Sequence, residues 1–365
     1  MRFGDILGHD AQKETLLAAL ARDRLHHAYL FAGPDGIGKR RMAYALAARV
    51  LCAAPDPATG DLCGACKHCR RVLATPGYHD EEGPFPSSGT APLLAPRHPD
   101  VLALVPHGTY IKIEQVREVL RIVPYQPVEG ASRFVVIDPV DALNDAAANA
   151  LLKTLEEPPR STRFILVTSA PANVLVTIRS RCQRVAFGRL PDAAITTLLA
   201  QRGVDADTIA RVIPLAAGSA RVAVELVSDP VLAIWDELAG KILAADPQRA
   251  PSELLELAAA LAELPNREGV FERCARLLRD ALLLRVTPDA ARLFHEALRE
   301  PLWAWAAARS PDAIIQRLRI VEDTRLAVRT FNVQPRLAFE RLLFAVGAPA
   351  GREIARPLVD FRDVL

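Results

Sequence analysis

The sequence predicts an α/β domain built on a mostly parallel sheet, followed by helices to its carboxyl end. Three observations lead there. Short apolar segments alternate with segments of helical period up to about residue 189. A glycine-rich stretch, Gly33-Pro34-Asp35-Gly36-Ile37-Gly38-Lys39, falls between the first apolar segment and a helix-like one. After Leu190-Pro191 strand-like segments cease and only helical patterning remains.

The elements follow in order. Ala28–Ala32 (AYLFA) is short and apolar, ends at the glycine stretch, and precedes helical periodicity from Lys39 onward. Thr75–Pro99 is rich in Pro, Gly and Ser without a sustained period, which predicts a long surface loop. Further strands are expected at Val101–Val105, Arg133–Asp138, Arg163–Ser169 and Gln183–Phe187, with helices near Glu114–Ile122 and Asp145–Glu157 between them. Apolar strands alternating with helices imply a parallel sheet covered on both faces. In the second of these helices Ala148, Leu151, Leu152 and Leu155 share one face, which should pack on the sheet. Lys153 and Glu156 lie off it, where a neighbouring molecule could pair with them. The helical remainder is punctuated by prolines at 214, 230, 247, 265, 288, 301 and 311. Domains are therefore expected at 1–188, 189–231 and 232–365.

Composition excludes several classes. Among 365 residues half are apolar and 24% charged, and the net charge is only +2, so no global basic field advertises nucleic acid as a partner. No run approaches the roughly 18 apolar residues of a membrane span, and the amino terminus lacks a signal-peptide core. A cytoplasmic, non-membrane protein is the expectation. Four of the six cysteines cluster, which in a reducing compartment suggests metal rather than disulfides. Cys182 and Cys274 read as small packing residues.

The glycine stretch matches the phosphate-loop pattern G-x-x-x-x-G-K, in which Gly33, Gly36 and Gly38 would shape an anion nest and Lys39 would reach the phosphates. The pattern wants Ser or Thr next, as a magnesium ligand. Arg40 stands there, a cation with donors only. A hydrolase also needs a strand ending in a metal-holding acid, commonly followed by a glutamate that polarises water. Asp138 supplies the acid, but Pro139 follows it; Asp141, two residues further on, is the substitute the sequence offers, though on most turn geometries it is expected to point elsewhere. Two chemical parts are missing, so hydrolysis by this chain is not expected. Whether ATP and magnesium still bind is left open.

Cys52, Cys63, Cys66 and Cys69 have the spacing of a closed tetrahedral zinc shell, with no open position for water and hence a structural role. Unligated thiols or a redox pair are the alternatives. His68 adjoins Cys69 and should face away. Arg181, in Ser180-Arg181-Cys182, is read either as a solvated surface charge or as an arginine that reaches a neighbour's γ-phosphate. Spacing alone does not choose.

Together, GPDGIGK, the four cysteines, HPDVLALVP (98–106), IKIEQVREV (111–119), NDAAANALLKTLEEPP (144–159) and SRC (180–182) resemble the bacterial clamp-loader subunits of DNA polymerase III, AAA+ proteins related to replication factor C. The resemblance covers most of residues 1–190. It is weaker beyond, where GSAR (218–221) resembles the second sensor of a helical lid and NVQPRLAFERLL (332–343) the end of a collar domain. Lys39-Arg40 and Asp138-Pro139 depart from the motor (gamma/tau) subunits and favour the delta-prime type, as does a chain expected to end after one collar-like domain without a tau-type extension.

The resemblance implies a P-loop AAA+ sheet with an inserted zinc module, then a small helical lid and an all-α collar. It implies a place in a five-subunit ring with gamma/tau and delta subunits, reaching the sliding clamp and primer-template DNA through the assembly. Arg181 would act on a neighbouring ATPase, while Gly33, Gly36, Gly38, Lys39, Arg40, Asp138 and Arg221 would form a vestigial nucleotide site. Thr168-Ser169 would correspond to the first nucleotide sensor. Two other readings compete. One is an active gamma/tau-type ATPase that tolerates Arg40, with Asp141 or a water substituting for the glutamate. The other is a zinc-dependent nucleic-acid binder, which the near-neutral charge and the lack of aromatics around the cysteines oppose.

Overall fold

A computed structural model describes residues 2–74, 97–106, 110–264, 267–289, 293–331 and 333–349. The expected loop 75–99 lies outside these up to position 96. The chain divides into two compact units, Met1–Ile209 with Ala216–Val224, and Ala210–Leu215 with Glu225–Leu365.

The first unit holds five strands: β1 (Ala28–Ala32), β2 (Val101–Leu104), β3 (Arg133–Ile137), β4 (Thr162–Thr168) and β5 (Gln183–Ala186). All pair in parallel, in the order β2-β3-β4-β1-β5. Every residue of β1, β2 and β3 is buried, as a strand covered on both faces requires. The helices of this unit are α1 (Asp10–Ala21), α2 (Lys39–Leu51), α3 (Lys67–Leu73), α4 (Ile113–Ile122), α5 (Asp145–Glu156), α6 (Val176–Arg179) and α7 (Asp192–Gln201), while α8 (Ala206–Ala216) and α9 (Ala220–Val227) have residues in both units.

Local chemistry sets these elements. Asn144 caps α5 by accepting the Ala147 amide at 2.9 Å, and Pro158 follows its end. Ala148, Leu151 and Leu155 of that helix are buried among sheet residues such as Val135, Ile137 and Leu166, with Leu152 partly buried beside them. Each fully buried Leu, Val or Phe in this cluster contributes about 1.5–3 kcal/mol. Leu102, Leu104, Val116 and Val119 extend the same cluster on the α4 side.

The second unit is helical among its described residues: α10 (Pro230–Ala244), α11 (Pro251–Ala262), α12 (Arg267–Val286), α13 (Arg299–Ala307), α14 (Pro311–Phe331) and α15 (Pro335–Gly347). Proline occupies the first position of α10, α11, α14 and α15, where its missing N–H costs nothing. These helices enclose one apolar core in which Phe271 stacks on Phe339 at 4.5 Å. Arg273 and Asp229 form a buried pair at 2.7 Å beside Trp235. No helix among the described residues is long and apolar enough to cross a membrane.

Candidate functional site: a glycine loop, a four-thiol cluster and an arginine at a cleft

The glycine loop, Asp138 and Thr168 meet at the carboxyl ends of β1, β3 and β4, where parallel α/β sheets place their ligand sites. Gly36 and Gly38 carry φ values of 70° and 98°, which side chains rarely adopt, so the two glycines let the loop turn into α2. A Cβ on Gly36 would also collide with Ser219 Oγ, because the 218–221 segment rests on the loop.

Several polar groups of this loop have internal partners. Lys39 is buried, and its ammonium donates to the carbonyls of Gly33, at 2.9 Å, and Pro34. Burial pushes the Lys39 pKa down, with Asp35 and Asp138 opposing. The Arg221 amide donates to Gly36 O at 3.1 Å, and its guanidinium meets Asp35 at 2.6 Å. His9 Nε2 lies 2.8 Å from Ile37 O. Sequence reasoning missed His9, which lies outside every motif.

Arg40 makes the decisive contact: its Nε donates to the Asp138 carboxylate. The cation that stands where the phosphate-loop pattern has a hydroxyl thus binds the acid that follows β3. Asp138 is nearly buried, and burial pushes its pKa up while Arg40 pulls against that shift. Asp141, expected to point elsewhere, instead stands at this site: it accepts from Thr168 Oγ1 and lies near enough to Lys39 to pull its pKa up, and the Thr168 bond occupies one of its carboxylate oxygens.

The thiols of Cys52, Cys63, Cys66 and Cys69 converge within 4.8 Å of one another, with Cys63 and Cys69 sulfurs 4.0 Å apart. A tetrahedron of about 2.3 Å zinc–sulfur bonds would put sulfurs about 3.8 Å apart, so the set fits a closed four-thiolate shell. Backbone amides already aim at the sulfurs: Cys63 N to Cys52 Sγ at 3.3 Å, Cys66 N to Cys63 Sγ at 3.3 Å, and Cys69 N to Cys66 Sγ at 3.4 Å. The Cys66 and Ala65 amides hold the Cys63 thiol down at about 6, whereas burial pushes Cys69 up. The four cysteines can hold a structural metal.

His68 faces away from the thiols and bonds His98 at 2.8 Å, with Glu129 nearby. These three also converge closely enough to suggest metal. Tautomers argue otherwise. The Asp100 amide donates to His98 Nδ1 at 3.1 Å, which places the His98 proton on Nε2, facing His68 Nδ1. A metal on that Nε2 would force a proton onto Nδ1, against the amide. Glu129 is already paired with Arg71 at 2.7 Å and Lys67 at 3.1 Å. The triplet is a hydrogen-bond chain tying the cysteine module to β2.

Arg181 follows the end of α6. Its guanidinium donates to Thr177 O at 2.9 Å and to Glu156 of α5, and remains one-third exposed. It borders a cleft of about 590 Å³ that His26, His27, Glu156, Ser180 and Gln183 also line. Glu156, placed by the helical period where a neighbouring molecule could pair with it, has a partner in its own chain.

Comparison with known proteins bears on the family of the chain. The model of a family described as DNA polymerase III, delta subunit, matches residues 8–80 and 89–191. The chain belongs to the DNA polymerase III clamp-loader family. It is similar to subunit delta′ of Pseudomonas aeruginosa, 39% identical over 170 residues (46% of this chain and 44% of the relative). Subunit delta′ of Escherichia coli is 33% identical over 216 residues (58% of each), and Escherichia coli subunit tau 36% over 180 (49% and 24%). The clamp-loader likeness thus spans between a quarter and somewhat over half of these relatives' lengths. A solved DNA polymerase III gamma subunit-related protein from Thermotoga maritima aligns over 92% of this chain and 98% of its own, at 18% identity and a TM-score of 0.46.

Proposed function

We propose that this chain is a non-hydrolysing clamp-loader subunit of the delta-prime type, which helps load the sliding clamp on primed DNA. The observation that carries the proposal is the Arg40–Asp138 contact. It places a fixed positive charge where magnesium would sit and consumes the acid that would bind it. Pro139 beside it can neither orient nor deprotonate a water. The loop keeps its backbone shape, while its lysine serves loop carbonyls. The vestigial nucleotide site is Gly33, Gly36, Gly38, Lys39, Arg40, Asp138 and Arg221.

Zinc held by Cys52, Cys63, Cys66 and Cys69 would brace the module between α2 and α3 and take no part in chemistry. Residues 1–188 form the AAA+ domain, 189–231 the lid and 232–365 the collar through which the chain joins gamma/tau and delta subunits in a five-membered ring. The sliding clamp and DNA are met through that assembly, in the cytoplasm. Arg181 acts in trans, its guanidinium stabilising the charge that develops on a neighbouring motor's γ-phosphate. A gamma/tau-type ATPase is the second reading. The comparable likeness to tau subunits favours it, and Arg40 and Pro139 oppose it.

The test is Arg181→Ala in the reconstituted ring. Assembly should persist while turnover at the adjacent motor site falls, by up to ~10³-fold at that site. Unchanged turnover there would refute the role.

A further inference from the structure

Two facts at the cleft belong together. Glu156 is the only carboxylate among its lining residues, and Arg181 the only permanently charged cation. They are paired with each other. We propose that Glu156 is a positioning residue that parks Arg181 until a nucleoside triphosphate on an adjoining subunit takes over the guanidinium. This inference rests on the trans role of Arg181 given above.

A phosphate entering the cleft beside Arg181 must also approach Glu156, and two anions contacting one guanidinium repel each other. The Glu156 contact is therefore exchanged for the phosphate contact rather than added to it. The exchange must be easy, because an exposed ion pair contributes at most about 1 kcal/mol. Arg181 is about one-third and Glu156 about one-half exposed, and both can swing towards solvent. Contacts from Arg181 Nη1 to Thr177 O at 2.9 Å and to Ser180 Oγ at 3.4 Å use neither of the atoms in the Glu156 bond. Those contacts can hold the arm in place while the carboxylate lets go. A parked finger is ordered in advance, which lowers the entropy lost when the neighbour docks. It also leaves the finger neutralised when no triphosphate is present.

The experiment compares wild type, Glu156→Gln, Glu156→Ala, Arg181→Ala and the Glu156→Gln/Arg181→Ala double variant in the reconstituted ring, using ATP as the probe. At the neighbouring site both Glu156 variants should lower the KM for ATP about two- to fivefold, the range that an ion pair of about 0.4–1 kcal/mol converts to. The effect should vanish when Arg181 is already alanine. A fall in kcat resembling that of Arg181→Ala would overturn the proposal, because Glu156 would then be orienting the finger during reaction. A KM shift that persists without Arg181 would overturn it too, as a general charge effect. If Arg181→Ala itself changes nothing, the trans role fails and the parking role with it. A KM unmoved by either Glu156 change, alongside a strong Arg181 effect, overturns parking alone.

Discussion

Replacing Arg40 with alanine should strip the first unit of a specific increment of stability. Asp138 would be left at the end of β3 with its side chain about one-tenth exposed, and no cation in direct contact, since Lys39 is bonded to loop carbonyls. Breaking a fully buried pair by removing one partner costs about 3–5 kcal/mol, and an exposed one at most about 1. Here the acid is nearly buried and the arginine about one-third exposed, so about 2 kcal/mol is expected. Native-state hydrogen exchange reads this within one unit: the most protected β1 and β3 amides should exchange roughly thirtyfold faster. The pH dependence has a definite sign. Burial already raises the Asp138 pKa against the pull of Arg40, and removing Arg40 raises it further. The folded mutant then holds a proton that the unfolded chain has lost, so the mutant's deficit grows as pH rises from acid through that folded pKa and shrinks as pH falls. Asp138→Asn in the Arg40→Ala background should recover most of the loss, because no uncompensated charge remains. Exchange accelerated less than about threefold, or no recovery with Asp138→Asn, would refute the reasoning.

Other consequences can be measured separately. Freshly purified protein should carry one zinc per chain by metal analysis, and stripping it or substituting Cys66→Ser should loosen α3 and its flanks while β1 and β3 stay protected. Zinc-free protein with an unaltered 52–69 region would contradict the structural role. Glu129, bonded by Arg71 and then Lys67, has its pKa held down at about 2. Its contribution to stability is therefore present above the ordinary carboxylate range and is lost as pH falls towards 2. A titration of its side-chain carbonyl by NMR should show that low midpoint, and Arg71→Ala should move it up. A wild-type midpoint near 4 would show that the contacts are not maintained in solution.

Much of the molecule was legible in the sequence because it depends on local pattern. The five strands fall within one residue of the expected limits, since short apolar runs between glycine, proline and polar breaks leave little latitude. The cysteine convergence followed from spacing, and the off-face position of Glu156 from helical period. What stayed hidden depends on contacts between distant positions. Arg40 reads as a missing hydroxyl, and nothing local says that its guanidinium finds Asp138 across 98 positions. Arg133 looks like a solvated charge opening a strand. It is instead buried and donates to the carbonyls of Ile122, Tyr125 and Gln126 at 2.7, 2.8 and 2.9 Å. Asp100 in the HPD triplet likewise accepts the amides of Val128, Glu129 and Gly130, fixing the turn before β3. Burial of a polar side chain is decided by what folds over it, and an apolar-period reading assigns such residues to the surface by default.

The most direct test of lost hydrolysis is a titration of the purified full chain with labelled ATP and magnesium, recording binding and turnover together, beside Lys39→Ala. A chain whose Arg40 occupies the metal position and holds Asp138 gives no turnover, whether or not nucleotide binds. Steady hydrolysis that disappears with Lys39→Ala would contradict it and make this chain a motor.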